Sequence, residues 1–261
     1  MISRQFLIEF KRSFTHKNLL KWLGIILLLP LISFLPVSTG YLYFQPVDVF
    51  QETVGFIIPM LFPVLVVFIY LPSFLQEQKN HFITYTRTRV PLNYYILVKG
   101  LMNALLTGFI ILSMMFFTFI FVTFIEPNFI QIVDYSPPLP GDHEVNVTFS
   151  QFLEYGTWTY VLVYSLWVTL NAIVYSTISF LLMIILKKSF VAISVPFLFY
   201  HVFNFVSGVF GIAQFSPLST VFPFNIEQQE LWTVFVPLGI LLLCISILYL
   251  IVIRNKEDWM I

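Results

Sequence analysis

Apolar residues along this chain come in runs too long and too uniform for the one-sided stripe of a soluble helix. Predominantly apolar stretches cover about residues 21–38, 53–75, 97–125, 157–186, 190–213 and 231–253. Crossing about 30 Å of hydrocarbon takes about 20 residues of α-helix, and each run has about that reach. Inside a bilayer the backbone must satisfy its own N–H and C=O groups, so helices are the expected element. The pattern predicts an all-α, polytopic membrane protein with six transmembrane helices in a single domain over 21–261. Pro30, Pro36, Pro59, Pro63 and Pro72 fall in the first two runs, where neighbouring helices can re-satisfy the freed carbonyls.

The polar intervals carry their own patterns. In the tail over 1–20, Ile2, Phe6, Phe10 and Phe14 recur at four-residue steps, while Arg4, Lys11, Arg12 and Lys17 fall mostly off that stripe. This spacing predicts an amphipathic helix in the headgroup layer, its cations toward anionic lipid; the plainer alternative is an unstructured basic tail. The loop over 76–99 is too polar to enter the bilayer. Pro91 biases Val90 away from helix and suits the start of a new one, so a turn or short helix over 77–89 and a second helix from Pro91 through Lys99 are expected. Phe82, Ile83, Tyr85, Tyr94 and Tyr95 give this loop apolar patches, which suit a partner or the lipid surface; an ordinary inner loop is the other reading. The longest remaining interval, 126–156, is rich in turn residues (Pro137, Pro138, Pro140, Gly141).

Composition agrees with the pattern. Of 261 residues, 59% are hydrophobic and only 10% charged, against about a quarter charged in a soluble domain. Placement of charge sets the topology. With six spans, all 13 basic residues fall on one side, in the tail, the 76–99 loop, the 187–188 turn and the C-terminus. Asp48, Glu52, Glu126, Asp134, Asp142, Glu144, Glu154, Glu227 and Glu230 fall on the other. The positive-inside bias therefore predicts cytoplasmic N and C termini and an outer loop at 126–156. The single cysteine, Cys244, sits in an apolar run, which excludes an internal disulfide framework.

Candidate chemistry is sparse. No glycine is followed directly by lysine, so a phosphate-cradling P-loop is absent, and the common metallohydrolase, serine-hydrolase and thiol-redox signatures are absent as well. No catalytic residue, metal site or cofactor is expected in this chain, nor a nucleic-acid partner; the Asp142–Glu144 cluster reads as a solvated turn. Mid-span charges are essentially missing, which disfavours an ion-coupled carrier. Neutral polar residues remain: Asn171 in span four, and His201, Asn204 and Ser207 on one face of span five. They read either as interhelical hydrogen bonds or as a substrate path or permease interface.

The whole plan resembles the permease subunit of type-2 ATP-binding-cassette (ABC) exporters of the bacterial peptide-export or peptide-immunity kind. Glu77 after span two, Pro91 in mid-loop and Lys99 entering span three match the frame of that family's second-to-third loop, although the Gly-Thr many members carry is replaced by Asn80, His81 and Phe82. "FSPLSTVFPF" at 215–224 is similar to the family's re-entrant outer segment between spans five and six. The resemblance implies an ATPase-coupling loop made by Glu77, Phe82, Ile83, Tyr85, Arg87, Arg89, Pro91, Tyr94 and Lys99. It also implies two partner ABC ATPases holding ATP and magnesium, a second permease (identical or homologous) and a place in the cytoplasmic membrane. A six-span scaffold or regulator without transport activity is the competing expectation.

Overall fold

The computed structural model describes residues 2–40, 42–80, 91–136, 149–186, 188–223 and 229–254. The chain is all-helical, and six of its helical runs are long and apolar enough to cross a membrane: His16–Gly40, Ile58–Lys79, Leu92–Ile130, Thr157–Ile185, Ser189–Val209 and Trp232–Arg254. It is a multi-pass membrane protein.

The tail does not form one helix to residue 20. Helix α1 (Ile2–Ser13) ends where Ser13 Oγ donates back to the Glu9 carbonyl, and Thr15 then caps α2 (His16–Leu23) by accepting from the Asn18 N–H. The first span is α2, a π-helical turn over Gly24–Leu28 and α3 (Leu29–Gly40) in one continuous run. Its amphipathic preface is therefore shorter than expected, because a Thr N-cap restarts the helix.

A second difference lies between spans one and two. The apolar run from 53 is broken near its start: its first residues end a separate helix, α4 (Pro46–Gly55), and span two is α5 (Ile58–Lys79). Gln45 and Asp48 cap α4 reciprocally, with the Gln45 N–H donating to Asp48 Oδ2 at 2.9 Å. Its ends are set by Pro46 at the start and by the break at Phe56 before Pro59. Phe50 and Val54 are fully buried, and Phe50 meets Phe119 and Tyr164 edge-on at 5.7 and 6.2 Å. Helix α4 is thus tucked into the bundle rather than lying across it.

Span three is α6 (Leu92–Ile120), extended by a π-helical stretch over Phe121–Ile130. Glu126, expected in a loop, is inside that extension and fully buried. Its Oε1 accepts the Ile132 and Val133 N–H groups, both at 2.9 Å. The turn made there brings Ser136 N–H onto the Tyr43 carbonyl at 2.9 Å, tying this end of span three to the turn after α3.

Span four, α7 (Thr157–Ile185), is the centre of the bundle: 72% of its apolar window is buried, against 17% for each of α8 (Ser189–Val209) and α10 (Trp232–Arg254). The reason is a seam of small residues, Ser165, Thr169, Ala172, Ser176 and Ser179, all buried and spaced so that they share one face. Lipid offers no hydrophobic drive between helices, so small residues that allow close approach decide which spans pair. On the facing helix Asn103 donates to Ser176 Oγ at 3.1 Å, and a Cβ added at Gly108 would come within 3.0 Å of Ile173.

Between α8 and α10 the chain makes a short 3-10 turn (Ala213–Phe215) and α9 (Pro217–Val221). Pro217, Ser219, Thr220 and Val221 are buried. Trp167 donates to the Thr220 carbonyl at 2.6 Å, and Phe62 meets Tyr175, Tyr200 and Phe222 at 5.3 to 6.0 Å. This segment is therefore wedged among α5, α7, α8 and α10.

Candidate functional site

Among the described residues, the most highly charged interior lies where α1 crosses the end of α5 and the start of α6. On α6, Tyr95, Lys99, Met102 and Leu106 fall on one face and are all buried, Lys99 with 1% of its surface exposed. On α5, Tyr70, Phe74 and Glu77 do the same. Each helix thus carries one ionic residue at a position its spacing reserves for the core.

A buried ion costs several kcal/mol unless it is paired and hydrogen-bonded. Here the pairing is complete. Lys99 Nζ lies 2.6 Å from Glu77 Oε2 and 2.7 Å from Oε1, and it also contacts Glu9 of α1. Arg12, one turn along α1, approaches Glu77 at 3.4 Å from the half-exposed rim. Tyr95 donates to Glu77 at 3.0 Å and Tyr70 to Glu9 at 3.3 Å. Two carboxylates and two cations leave the cluster neutral. Nothing in it forms a nucleophile with its base; what it does is fasten three helices at one point.

Further bonds hold the same joint. Asn18 Nδ2 donates to the Ser13 carbonyl at 2.8 Å and to Ser73 Oγ at 3.3 Å, and Trp22 donates to the Ile69 carbonyl at 3.1 Å. Helix α1 is therefore docked on protein through its Glu9 face, while Leu7 and Ile8 stay exposed. The expected picture of its cations all facing lipid is corrected at Arg12, which the buried Glu77 draws in.

Of the residues assigned to the coupling loop, Phe82, Ile83, Tyr85, Arg87 and Arg89 lie outside the described residues. Glu77 and Lys99 face inward, so neither offers its charge to a partner in this conformation. Pro91 is the N-cap of α6, its carbonyl accepting from Tyr94 N–H at 3.0 Å, and Tyr94 is 44% exposed beside it.

The second group of sequence candidates separates. Asn171 is fully buried, its amide donating to the Trp167 carbonyl at 3.0 Å, so it does not line an open face. Asn204 accepts the Leu218 N–H at 2.7 Å and anchors α9. Ser207 is buried, and His201 is half-buried between the rings of Phe197 and Tyr200, at 4.5 and 5.2 Å. Asn204 thus turns to α9 rather than to a surface shared with His201.

Glu9 is the functional candidate that sequence reasoning passed over. The signal was present: it is the only acid before Asp48, in an otherwise basic tail, one turn from Phe6 and next to Phe10 of the apolar stripe. An acid on the face meant for burial asks for a buried cation.

Fold and site together define a polytopic helical membrane protein with a neutral ion cluster beneath its second-to-third loop. Comparison with protein-family models, with curated proteins and with solved structures finds no match to this chain.

Proposed function

We propose that this chain is the transmembrane permease subunit of an ABC exporter. In this reading both termini are cytoplasmic, and a separate pair of ATPase subunits docks on the 76–99 loop. The permease works with a second one, identical or homologous, in the cytoplasmic membrane, and ATP and magnesium belong to the ATPases. The observation that carries the proposal is the ion cluster. Glu77 and Lys99 close the base of the loop, and Glu9 adds α1 to the same knot. A push on the loop is thereby delivered to spans two and three and to α1 together, which is what an engine on another polypeptide requires.

Apart from Glu77, Lys99 and Glu126 toward the ends of spans two and three, the buried polar side chains among the described residues are neutral hydroxyls and amides. That supports an amphipathic cargo, and a hydrophobic or cationic peptide fits best, since an acidic outer face favours cations. Tyr94, exposed at the start of α6, is the described residue best placed to touch the ATPase.

The test is purification of the tagged full chain from its native membrane in mild detergent, beside Tyr94→Ala. We expect a stoichiometric nucleotide-hydrolysing subunit with the wild type and its loss from the variant, with unfolding unchanged. A chain that comes out alone, or with a partner that hydrolyses no nucleotide, would overturn the exporter reading in favour of a six-span scaffold.

A further inference from the structure

Beside the ion cluster lies a cavity of about 530 Å³ between the α1–α2 elbow and the last turns of α5. Lys17 and Lys21, four residues apart and so on one face of α2, both line it, together with Arg12, Ser73, Gln76 and Asn80. Glu9 and Glu77 also reach it, but Lys99 and Arg12 already neutralise them. Neither Lys17 nor Lys21 has an ion-pair partner among the described residues, so the cavity carries an excess of two positive charges. Ser73 Oγ accepts from Asn18, which leaves its hydroxyl proton for an acceptor in the cavity.

The same face of the first span continues as an open apolar surface. Gly24 follows Lys21 by one turn, and a Cβ built there would meet nothing within 4 Å. Leu28, the next residue of that face, is 60% exposed. Gly24 and Leu28 stand four apart and so share one face of the helical run. Cations and amide donors at the end of a span, followed by open apolar space along it, match a phosphate head and an acyl tail.

We infer that this cavity and the open apolar face beyond it bind an anionic phospholipid, its phosphate between Lys17 and Lys21 with donors from Ser73, Gln76 and Asn80, and one acyl chain along Gly24 and Leu28. The site stands independently of the transport reading. Bound there, the lipid braces the α1–α2 elbow against α5, next to the ion cluster. It is a defined site rather than a diffuse attraction of a basic tail to a charged surface.

The full chain in mild detergent, stripped of lipid, is titrated with dioctanoyl phosphatidylglycerol, dioctanoyl phosphatidylcholine and inorganic phosphate, reading the thermal midpoint. Phosphatidylglycerol is expected to raise the midpoint saturably, and the other two to leave it nearly unmoved. In K17Q/K21Q the half-saturating concentration rises about thirtyfold, the loss of two lysine–lipid attractions, and K17R/K21R restores it. A wild-type response in K17Q/K21Q, or an equal response to phosphatidylcholine, overturns the site. A full shift with inorganic phosphate, lost in K17Q/K21Q, overturns the lipid in favour of a soluble phosphate. Gly24→Leu keeps both lysines and occupies the open face beside Leu28, so it serves if K17Q/K21Q folds poorly. Weakened phosphatidylglycerol binding in that variant supports the acyl path, and unchanged binding overturns it.

Discussion

Replacing Lys99 by methionine isolates the energetics of the ion cluster. Methionine nearly fills the lysine stem's volume, so no cavity opens, and the change is electrostatic: two carboxylates lose the cation they share. Glu77 and Lys99 side chains are 6% and 2% exposed, so water replaces little of what is lost. Removing one partner of a buried pair costs about 3–5 kcal/mol. Arg12 remains 3.4 Å from Glu77, but at 43% exposure its compensation is weak, of the order of the 0–1 kcal/mol of a surface pair. We therefore expect K99M to lose about 3 kcal/mol, measured by equilibrium unfolding with SDS in mixed micelles. The neutral triple variant E9Q/E77Q/K99M should regain at least half of that, because its polar groups no longer carry charge. A loss below about 1 kcal/mol in K99M, or a triple variant no more stable than K99M, would refute the view that mutual neutralisation holds α1 to spans two and three.

Other consequences are as definite. Gly108→Val should cost about 1–3 kcal/mol by overpacking against Ile173, whereas Gly239→Ala, with nothing within 4 Å, should stabilise by about 0.5–1 kcal/mol, both read by the same unfolding assay. Asn103→Ala removes the bond to Ser176 and should cost about 0.6–1.7 kcal/mol, the range of interhelical hydrogen bonds in membranes, again by SDS unfolding. Asn204→Ala leaves the Leu218 N–H without its acceptor, and amide hydrogen exchange at Leu218 should speed up while that of α7 stays unchanged. Equal acceleration in both helices would mean that Asn204 supports the whole bundle instead.

The six spans were legible because crossing a bilayer depends on the length and polarity of a single run of residues, which each stretch of chain carries by itself. Spans four, five and six begin and end within a few residues of the apolar limits in the sequence. So did the start of α6 after Pro91, whose ring fixes the local backbone. The small-residue seam on α7 was also written there, as a row of Ser, Thr and Ala at helical spacing, but its meaning depends on which helix it meets. Helix α4 went unread because most of it precedes the apolar run from 53, and its Asp48, Gln51 and Glu52 give it the polarity of a loop although the bundle buries its Phe50 and Val54. Glu126 was placed in a loop because its carboxylate is stabilised by two backbone N–H groups that only the folded turn brings to it.

What the chain by itself determined is its class: an all-helical, six-span membrane protein, because the energy of burying or solvating a run is a local sum over its residues. What only the tertiary structure decided is the site. Glu9 and Lys99 stand 90 positions apart, and Glu77 and Lys99 are separated by 22. Such pairs are selected by geometry after the helices pack, since a charge at a core position is tolerable only where another element delivers its opposite. No local pattern names that partner; the packing of α1 across α5 and α6 does.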